Sequence, residues 1–146
     1  MTEVLDLSNL DITDTSAEGV WMNPRDLEGN PLALEVLVYG EDSRQYTSAM
    51  DRISRARKTR AKGRRNSTSN DVEYSEIKEA SWILASKLTG GFRHAESKQT
   101  IPEITVKGHV HDVSKQSDLE ALYQKLTDLA DQVVSFSRDQ ANFLRH

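Results

Sequence analysis

The most constraining feature of the chain is a helical pattern in residues 117–146. Large side chains recur there at alternating spacings of three and four, which is the period of one helix face. They are Leu119, Leu122, Leu126, Leu129, Val133, Phe136, Gln140 and Phe143, with Gln140 the single polar member. Ser117 and Glu120 have the spacing of a capping box. We therefore predict a helix over residues 118–144. Each large apolar side chain contributes roughly 1.5–3 kcal/mol when buried, so this face needs a covering surface.

Length and composition limit what the chain can be. A length of 146 residues suits one domain, and an apolar fraction of 36% predicts a modest core. There is no cysteine, which excludes disulfides, thiol nucleophiles and Cys-ligated metals and fits a reducing compartment. The longest apolar runs ("VLVY", "WILA") are far too short to span a membrane. The N-terminal sequence lacks the basic and apolar regions of a signal peptide.

Charge is distributed unevenly along the chain. Residues 1–42 have a net charge of −9, residues 43–100 of +7, and residues 101–146 of −2. A basic middle segment between acidic ends favours contacts with an acidic surface. That surface could belong to this chain, to a second copy or to another protein, so self-association is one of the alternatives.

The N-terminal third predicts an arm and a hairpin. Residues 1–18 are acidic and their apolar residues keep no regular period, which is typical of a flexible arm. Residues 19–40 predict a β-hairpin with arms "VWM" and "ALEVLVY", because the second arm alternates and the intervening "NPRDLEGNP" is rich in turn residues. In the second arm, Leu34, Val36 and Val38 point to one side.

Two helices are predicted in the middle of the chain. The first covers residues 42–62, with Asp42 as its cap and Gln45 at the third position. The second covers residues 70–89, between a capping box at Asn70 and Glu73 and a C-cap at the glycine pair 90–91. A basic, Gly/Ser/Asn-rich linker joins the two helices. Residues 91–116 are expected to be irregular or extended, with a short strand or two around Gly108.

These elements predict an α+β fold that is a mainly helical single domain. The domain covers residues 19–146 and consists of the N-terminal hairpin and three helices, of which the last packs on the other two.

The sequence contains none of the common catalytic motifs. There is no P-loop, GxGxxG, GxSxG or HExxH. His109 and His111 have a metal-like spacing, with Asp112 or His94 as a conceivable third ligand, but a polar strand more often carries such residues on its surface. We therefore predict no catalytic residues, no metal site and no cofactor.

The basic segment 52–65 is one candidate binding region, since it holds eight Arg or Lys among fourteen residues. It is expected to contact an acidic protein surface or the acidic arm, or to be a solvated helix end. Nucleic-acid binding is less favoured, because the segment has no aromatic residue to stack on bases. The candidate residues are Arg55, Arg57 and Arg60.

The end of the terminal helix is the second candidate region. We call the row of large side chains in this helical pattern the apolar stripe. Its first part, from Leu119 to Val133, is expected to be packed in the core. Phe136, Phe143 and Leu144 are the candidate partner-binding residues beyond it. On this interpretation, alanine at Phe143 would leave the fold nearly intact. Membrane binding is disfavoured, because residues 118–146 carry more acidic than basic residues.

Three segments resemble the tail assembly chaperones of long-tailed bacteriophages and prophages. They are "ASWILASKLTGGF" (80–92), "ITVKGHVHDVSKQSDLEALY" (104–123) and "LADQVVSFSRDQANFLRH" (129–146). The hairpin and the Arg-rich helix show a weaker likeness, so the resemblance covers roughly residues 19–146. Phe92 departs from the pattern, since such proteins often have tryptophan after the glycine pair.

The resemblance implies a non-enzymatic assembly factor in the host cell cytoplasm. Such proteins bind the long, helical tape measure protein, help tail tube subunits polymerise around it, and are absent from the mature virion. Two other functions are compatible with the sequence. One is a structural virion protein of the tail or connector, and the other is a small nucleic-acid-binding protein that uses residues 52–65.

Overall fold

The computed structural model describes residues 13–63 and 80–144. The first range contains α1 (Thr13–Glu18), β1 (Val20–Met22), β2 (Leu34–Val38) and α2 (Arg44–Gly63). The second begins with residues 80–88 of α3, followed by β3 (Thr89–His94), β4 (Glu103–Val106) and β5 (His109–Asp112). It ends with α4 (Gln116–Lys125), α5 (Thr127–Arg138) and a 3₁₀ helix (Gln140–Phe143). Helices and antiparallel strands together make a compact α+β fold, as predicted.

The predicted N-terminal hairpin is confirmed and belongs to a larger sheet. Strands β1 and β2 pair antiparallel, and β3 pairs with the other edge of β2, giving the order β1–β2–β3. Val36 and Val38 are fully buried, as the alternation in β2 predicts. On the opposite face, Glu35 accepts hydrogen bonds from Arg93 Nε and Lys98 Nζ, both at 2.8 Å. These two cations lower the pKa of the Glu35 carboxyl below its usual range.

The strands expected around Gly108 form a second, two-stranded sheet. Strands β4 and β5 pair antiparallel, with Ile104 opposite His111 and Val106 opposite His109. Gly108 has a φ of +84° in the turn, a conformation that glycine adopts at little cost. The hairpin packs against α4, where the backbone N–H of Asp112 donates to Asp118 Oδ2 at 2.9 Å.

One hydrophobic core joins the sheets and the helices. Buried apolar side chains come from the sheet β1–β2–β3 and from α2, α3, α4 and α5. At the centre, Tyr123 on α4 is fully buried, and its hydroxyl lies 2.5 Å from Thr89 Oγ1. Burial raises the pKa of the Tyr123 phenol well above its ordinary range, so the hydroxyl stays neutral and can donate. Thr89 Oγ1 in turn donates to the Ala85 carbonyl at 2.7 Å.

Helix α2 begins two residues later than predicted. Its cap is Ser43 rather than Asp42, because Ser43 Oγ accepts the backbone N–H of Tyr46 at 3.2 Å. Ser43 is also buried and donates to the Gly40 carbonyl, so the cap is fixed by the preceding turn. On the same helix, Arg52 forms an ion pair with Glu120 of α4 at 2.7 Å.

The predicted flexible arm ends earlier than expected. Residues 13–18 form helix α1, and its Ser16 is fully buried. The backbone N–H of Gly40 donates to the Ser16 carbonyl at 3.1 Å, which ties α1 to the end of β2. The rest of the arm, residues 1–12, lies outside the described residues.

The single helix predicted over residues 118–144 is wrong. Leu126, with φ −111° and ψ 64°, separates α4 from α5, and α5 ends at Arg138. The capping box also fails, because α4 begins at Gln116 without a side-chain cap and Glu120 pairs with Arg52 instead. No glycine or proline marks the break. The apolar stripe continues through the break, because Leu119 and Leu122 before Leu126 and Leu129 and Val133 after it are all buried.

The C-cap predicted at the glycine pair 90–91 is also wrong. Both glycines lie within β3, with Gly91 opposite Leu37. The register shifts between Leu37 and Val38, so an irregularity in the ladder falls at Gly90. The predicted capping residues Asn70 and Glu73 and the basic linker after Gly63 lie outside the described residues.

Candidate partner-binding site

A shallow apolar groove lies between the β1–β2 loop and the junction of α4 with α5. Its volume is about 350 Å³. Four leucines line it, and charged or polar residues form its rim. The leucines are Leu27, Leu32, Leu126 and Leu129, and the rim residues include Arg25, Asp26, Lys125, Asp128 and Gln132. We refer to these residues together as the Leu27 groove. Apolar walls with a few polar groups at the edge are typical of a binding site.

The loop wall of the groove is held by its own hydrogen bonds. Asp26 Oδ1 accepts the backbone N–H groups of Glu28 and Asn30, both at 2.9 Å. The backbone N–H of Asp26 donates to the Asn30 carbonyl, and that of Gly29 to the Asp26 carbonyl. Gly29 has a φ of +89°, which explains a glycine at this turn. The loop is therefore ordered independently of any partner.

Gln132 on α5 fixes the loop to the helices. Its Oε1 accepts the Arg25 backbone N–H at 2.8 Å, and its Nε2 donates to the Arg25 carbonyl at 2.8 Å. Nε2 also donates to Asp128 Oδ2 at 2.9 Å. One amide side chain thus pairs with both polar backbone groups of Arg25, much as a neighbouring strand would. This contact ties the loop wall of the groove to its helix wall.

Alanine at Gln132 is expected to loosen the loop while leaving the core intact. It removes both hydrogen bonds to Arg25, each worth about 0.5–1.5 kcal/mol. Amide hydrogen exchange of residues 26–32 should become roughly tenfold faster. Gln124→Ala is the matched control, since Gln124 is an exposed glutamine on α4. Equal exchange in both variants would show that Gln132 does not hold the loop.

Leu27 is the most exposed large apolar side chain in the described ranges. It is 87% exposed, although it lies on an ordered loop beside an apolar groove. Around it, most of the rim charges have internal partners: Arg25 Nη1 donates to the Gly29 carbonyl at 2.9 Å, and Asp26 and Asp128 accept the bonds already described. The Lys125 side chain has no hydrogen bond or ion pair within the described residues. The site therefore offers an exposed apolar anchor and one available cation.

A larger cavity of about 660 Å³ lies between this loop and the turn that follows β3. Its lining combines Pro31, Leu32 and two alanines with polar residues that include His94, Glu96 and Gln99, so it is more polar than the Leu27 groove. The Asn23 amide beside it donates to the Leu32 and Leu34 carbonyls, both at 2.9 Å, and so stabilises the β1–β2 hairpin. We regard the Leu27 groove as the better candidate.

The partner-binding residues predicted near the C-terminus differ in their exposure. Phe143 is buried, at 1% exposure, and its ring lies edge-on against Phe136 with centroids 5.8 Å apart. Asp139 Oδ1 accepts the Ala141 N–H and stabilises the turn that folds the chain back. Phe143 is therefore packed inside this structure and is not presented on its surface, and its role in binding a partner stays a prediction. Leu144 is 39% exposed and stays available.

The basic candidates lie on α2, away from the groove lining. Arg55 is exposed, and its Nε lies 3.4 Å from the Asp51 carbonyl. Arg57 and Arg60 belong to α2 by their backbone, and their side chains lie outside the described residues. Nothing in the described residues brings this segment together with the Leu27 groove, so the two are separate candidate surfaces.

The histidines of β5 do not form a site in the described ranges. His111 is buried and its Nδ1 lies 3.1 Å from the His109 carbonyl, whereas His109 is exposed. Across residues 13–63 and 80–144, no three His, Cys, Asp or Glu side chains are grouped so that they could hold a metal ion. None of the helices there combines the length and apolar character needed to cross a bilayer.

Comparison with known proteins gives no further assignment. The chain matches no protein-family model, no curated protein and no solved structure.

The groove is a feature that sequence reasoning missed. Residues 23–31 predict a turn, and Leu27 is the one large apolar residue within it. An apolar side chain inside a turn of Pro, Asp, Gly and Asn was the available signal. The other wall could not be foreseen, because Gln132 lies 107 residues away from Arg25 in the chain.

Proposed function

We propose that this protein is a tail assembly chaperone that binds the tape measure protein, tail tube subunits or both during tail assembly, without catalysis. The observation that carries the proposal is the resemblance of residues 80–92, 104–123 and 129–146 to that family. The expected setting is the host cell cytoplasm, and the protein should be absent from the mature virion.

The three segments that resemble the chaperone family make contacts between and within themselves in one fold. Thr89 of the first segment meets Tyr123 of the second through their hydroxyl groups. Gln116 of the second donates to Ser86 Oγ of the first at 2.8 Å. In the third, the Asn142 amide donates to the Phe136 carbonyl at 3.1 Å. Thr89, Tyr123 and Ser86 are buried, so these contacts hold the segments together and do not present a surface to a partner. The Leu27 groove, which includes Leu129 of the third segment, supports binding of an apolar helix.

Co-expression with the tape measure protein tests the proposal. The chaperone with an affinity tag should retain the tape measure protein in soluble form, whereas the tape measure protein expressed alone should aggregate. The readout is the amount of soluble tape measure protein that elutes with the tag. Retention of neither the tape measure protein nor the tail tube protein would contradict the proposed function.

Mass spectrometry of purified particles separates a chaperone from a structural virion protein. A chaperone is expected to be absent or far below the stoichiometry of the tail proteins. Stoichiometric presence would favour a tail or connector component instead.

Nucleic-acid binding remains the third candidate, favoured by the basic α2 alone. It predicts DNA or RNA affinity that falls steeply with salt and is lost when Arg55, Arg57 and Arg60 are replaced by alanine. Absence of salt-dependent binding would remove this candidate.

A further inference from the structure

We propose that the Leu27 groove binds an amphipathic helix that inserts an apolar side chain beside Leu27 and places an acidic residue against Lys125. This inference rests on the proposed function, because it names the kind of segment that the tape measure or tail tube protein would present. Its argument comes from the groove itself.

The size and lining of the groove favour apolar side chains over a small-molecule ligand. A volume of about 350 Å³ is near the lower end for ligand pockets and suits one or two side chains. Leu27 and Leu32 form one wall, and Leu126 and Leu129 form the other. An apolar side chain placed between them would cover Leu27, which is otherwise 87% exposed.

The backbone of the loop wall argues for a helix over an extended peptide. An extended peptide must satisfy its own backbone N–H and C=O groups, usually along an open strand edge. Most N–H groups on this wall are already bonded within the protein, at Arg25, Asp26, Glu28, Gly29, Asn30 and Leu32. Pro31 has no N–H to offer. A helix satisfies its own backbone and needs only side-chain contacts.

The charged residues at the rim indicate which charge the partner should carry. Arg25, Asp26 and Asp128 are each engaged in hydrogen bonds within the site. Lys125 lines the same groove, and its side-chain ammonium group has no partner among the described residues. Complementarity therefore calls for an acidic residue one turn away from the apolar anchor, at i+3 or i+4 on the partner helix.

A designed peptide tests the inference without an identified partner. The probe is a fluorescein-labelled helical peptide of about 20 residues, long enough to remain helical when bound. It carries leucines at i and i+4 and a glutamate at i+8, and a second version carries lysine in place of that glutamate. Fluorescence anisotropy with the full chain should show saturable binding that is stronger for the glutamate version.

Three variants locate the binding. Leu27→Asp should weaken binding at least about tenfold, because it removes a leucine contact and adds a charge. Lys125→Glu should weaken binding of the glutamate peptide about three- to fivefold and should favour the lysine peptide instead. Val110→Asp is the control, because it changes an exposed apolar residue on β5 outside the groove, and it should leave binding unchanged. Thermal melts followed by circular dichroism verify that each variant is folded.

The outcomes separate this inference from the proposed function. Absence of saturable binding by the wild-type chain, or equal binding by Leu27→Asp, would overturn the groove as a helix site. Co-elution of the tape measure protein with Leu27→Asp at wild-type levels would also overturn the groove while the chaperone function stands. Peptide binding that depends on Leu27 and Lys125, without retention of any tail protein, would support the groove and remove the proposed function.

Discussion

Alanine at Phe143 is expected to lower the free energy of unfolding by about 3–5 kcal/mol. The ring is 1% exposed, and it meets Phe136 at an interplanar angle of 70°. Edge-to-face pairs contribute about 0.5–1.5 kcal/mol beyond the area they bury, so loss of this contact adds to the cavity cost. Urea unfolding followed by circular dichroism measures the change.

The neighbouring leucine provides the control for this variant. Leu144→Ala changes a side chain that is 39% exposed, and its stability should stay within about 0.5 kcal/mol of wild type. If Phe143→Ala were as mild as Leu144→Ala, Phe143 would not be part of the packed structure. That result would favour the sequence-based expectation that Phe143 faces a partner.

The second large effect is expected at Gly90. A Cβ atom there would lie 2.6 Å from Tyr39 Oη and 2.9 Å from Leu37 Cδ2, so the strand or these side chains must move. We expect Gly90→Ala to cost about 1–3 kcal/mol, which is the usual range for an overpacked site. Both the urea midpoint and the melting temperature should fall.

Gly91 is a control of the same residue type in the same strand. A Cβ atom there would meet nothing within 4 Å. Gly91→Ala should therefore be neutral or stabilising by up to about 1 kcal/mol, because alanine loses less backbone entropy than glycine. Equal destabilisation at both positions would contradict the placement of this pair in β3.

The periodicity of the sequence correctly predicted the strands and turns that depend mainly on residues close together in the chain. The alternation of Leu34, Val36 and Val38 identified β2 and its buried face, because a strand with one covered side repeats every two residues. The turn at Gly108 likewise marked the β4–β5 hairpin. These parts of the fold follow from short-range chemistry.

The missed elements depend on contacts between distant residues. Strand β3 reads "TGGFRH" and has no clear alternation; its pairing with β2 joins residues more than 50 positions apart, such as Leu34 and His94. The break at Leu126 was hidden because the apolar stripe continues through it in the same period. Sequence periodicity reports which side chains are covered and does not report whether the helix between them is continuous.

The candidate site was the least predictable part. The residues chosen from the sequence were the last aromatic rings of the stripe and the arginines of α2. The turn after α5 could have been anticipated, since Asp139 is a good capping residue. The Leu27 groove required the loop and α5 to be brought together by Gln132, which no local pattern encodes.

The self-contained hydrogen bonding of residues 23–32 has an evolutionary consequence. Because most N–H groups of the loop are bonded internally and the Leu27 side chain is mostly in solvent, the fold places little demand on the identity of residue 27. Substitutions there can alter which partner is recognised at almost no cost in stability. A lineage that acquires a new partner could therefore adjust its recognition at this one position while the core stays unchanged.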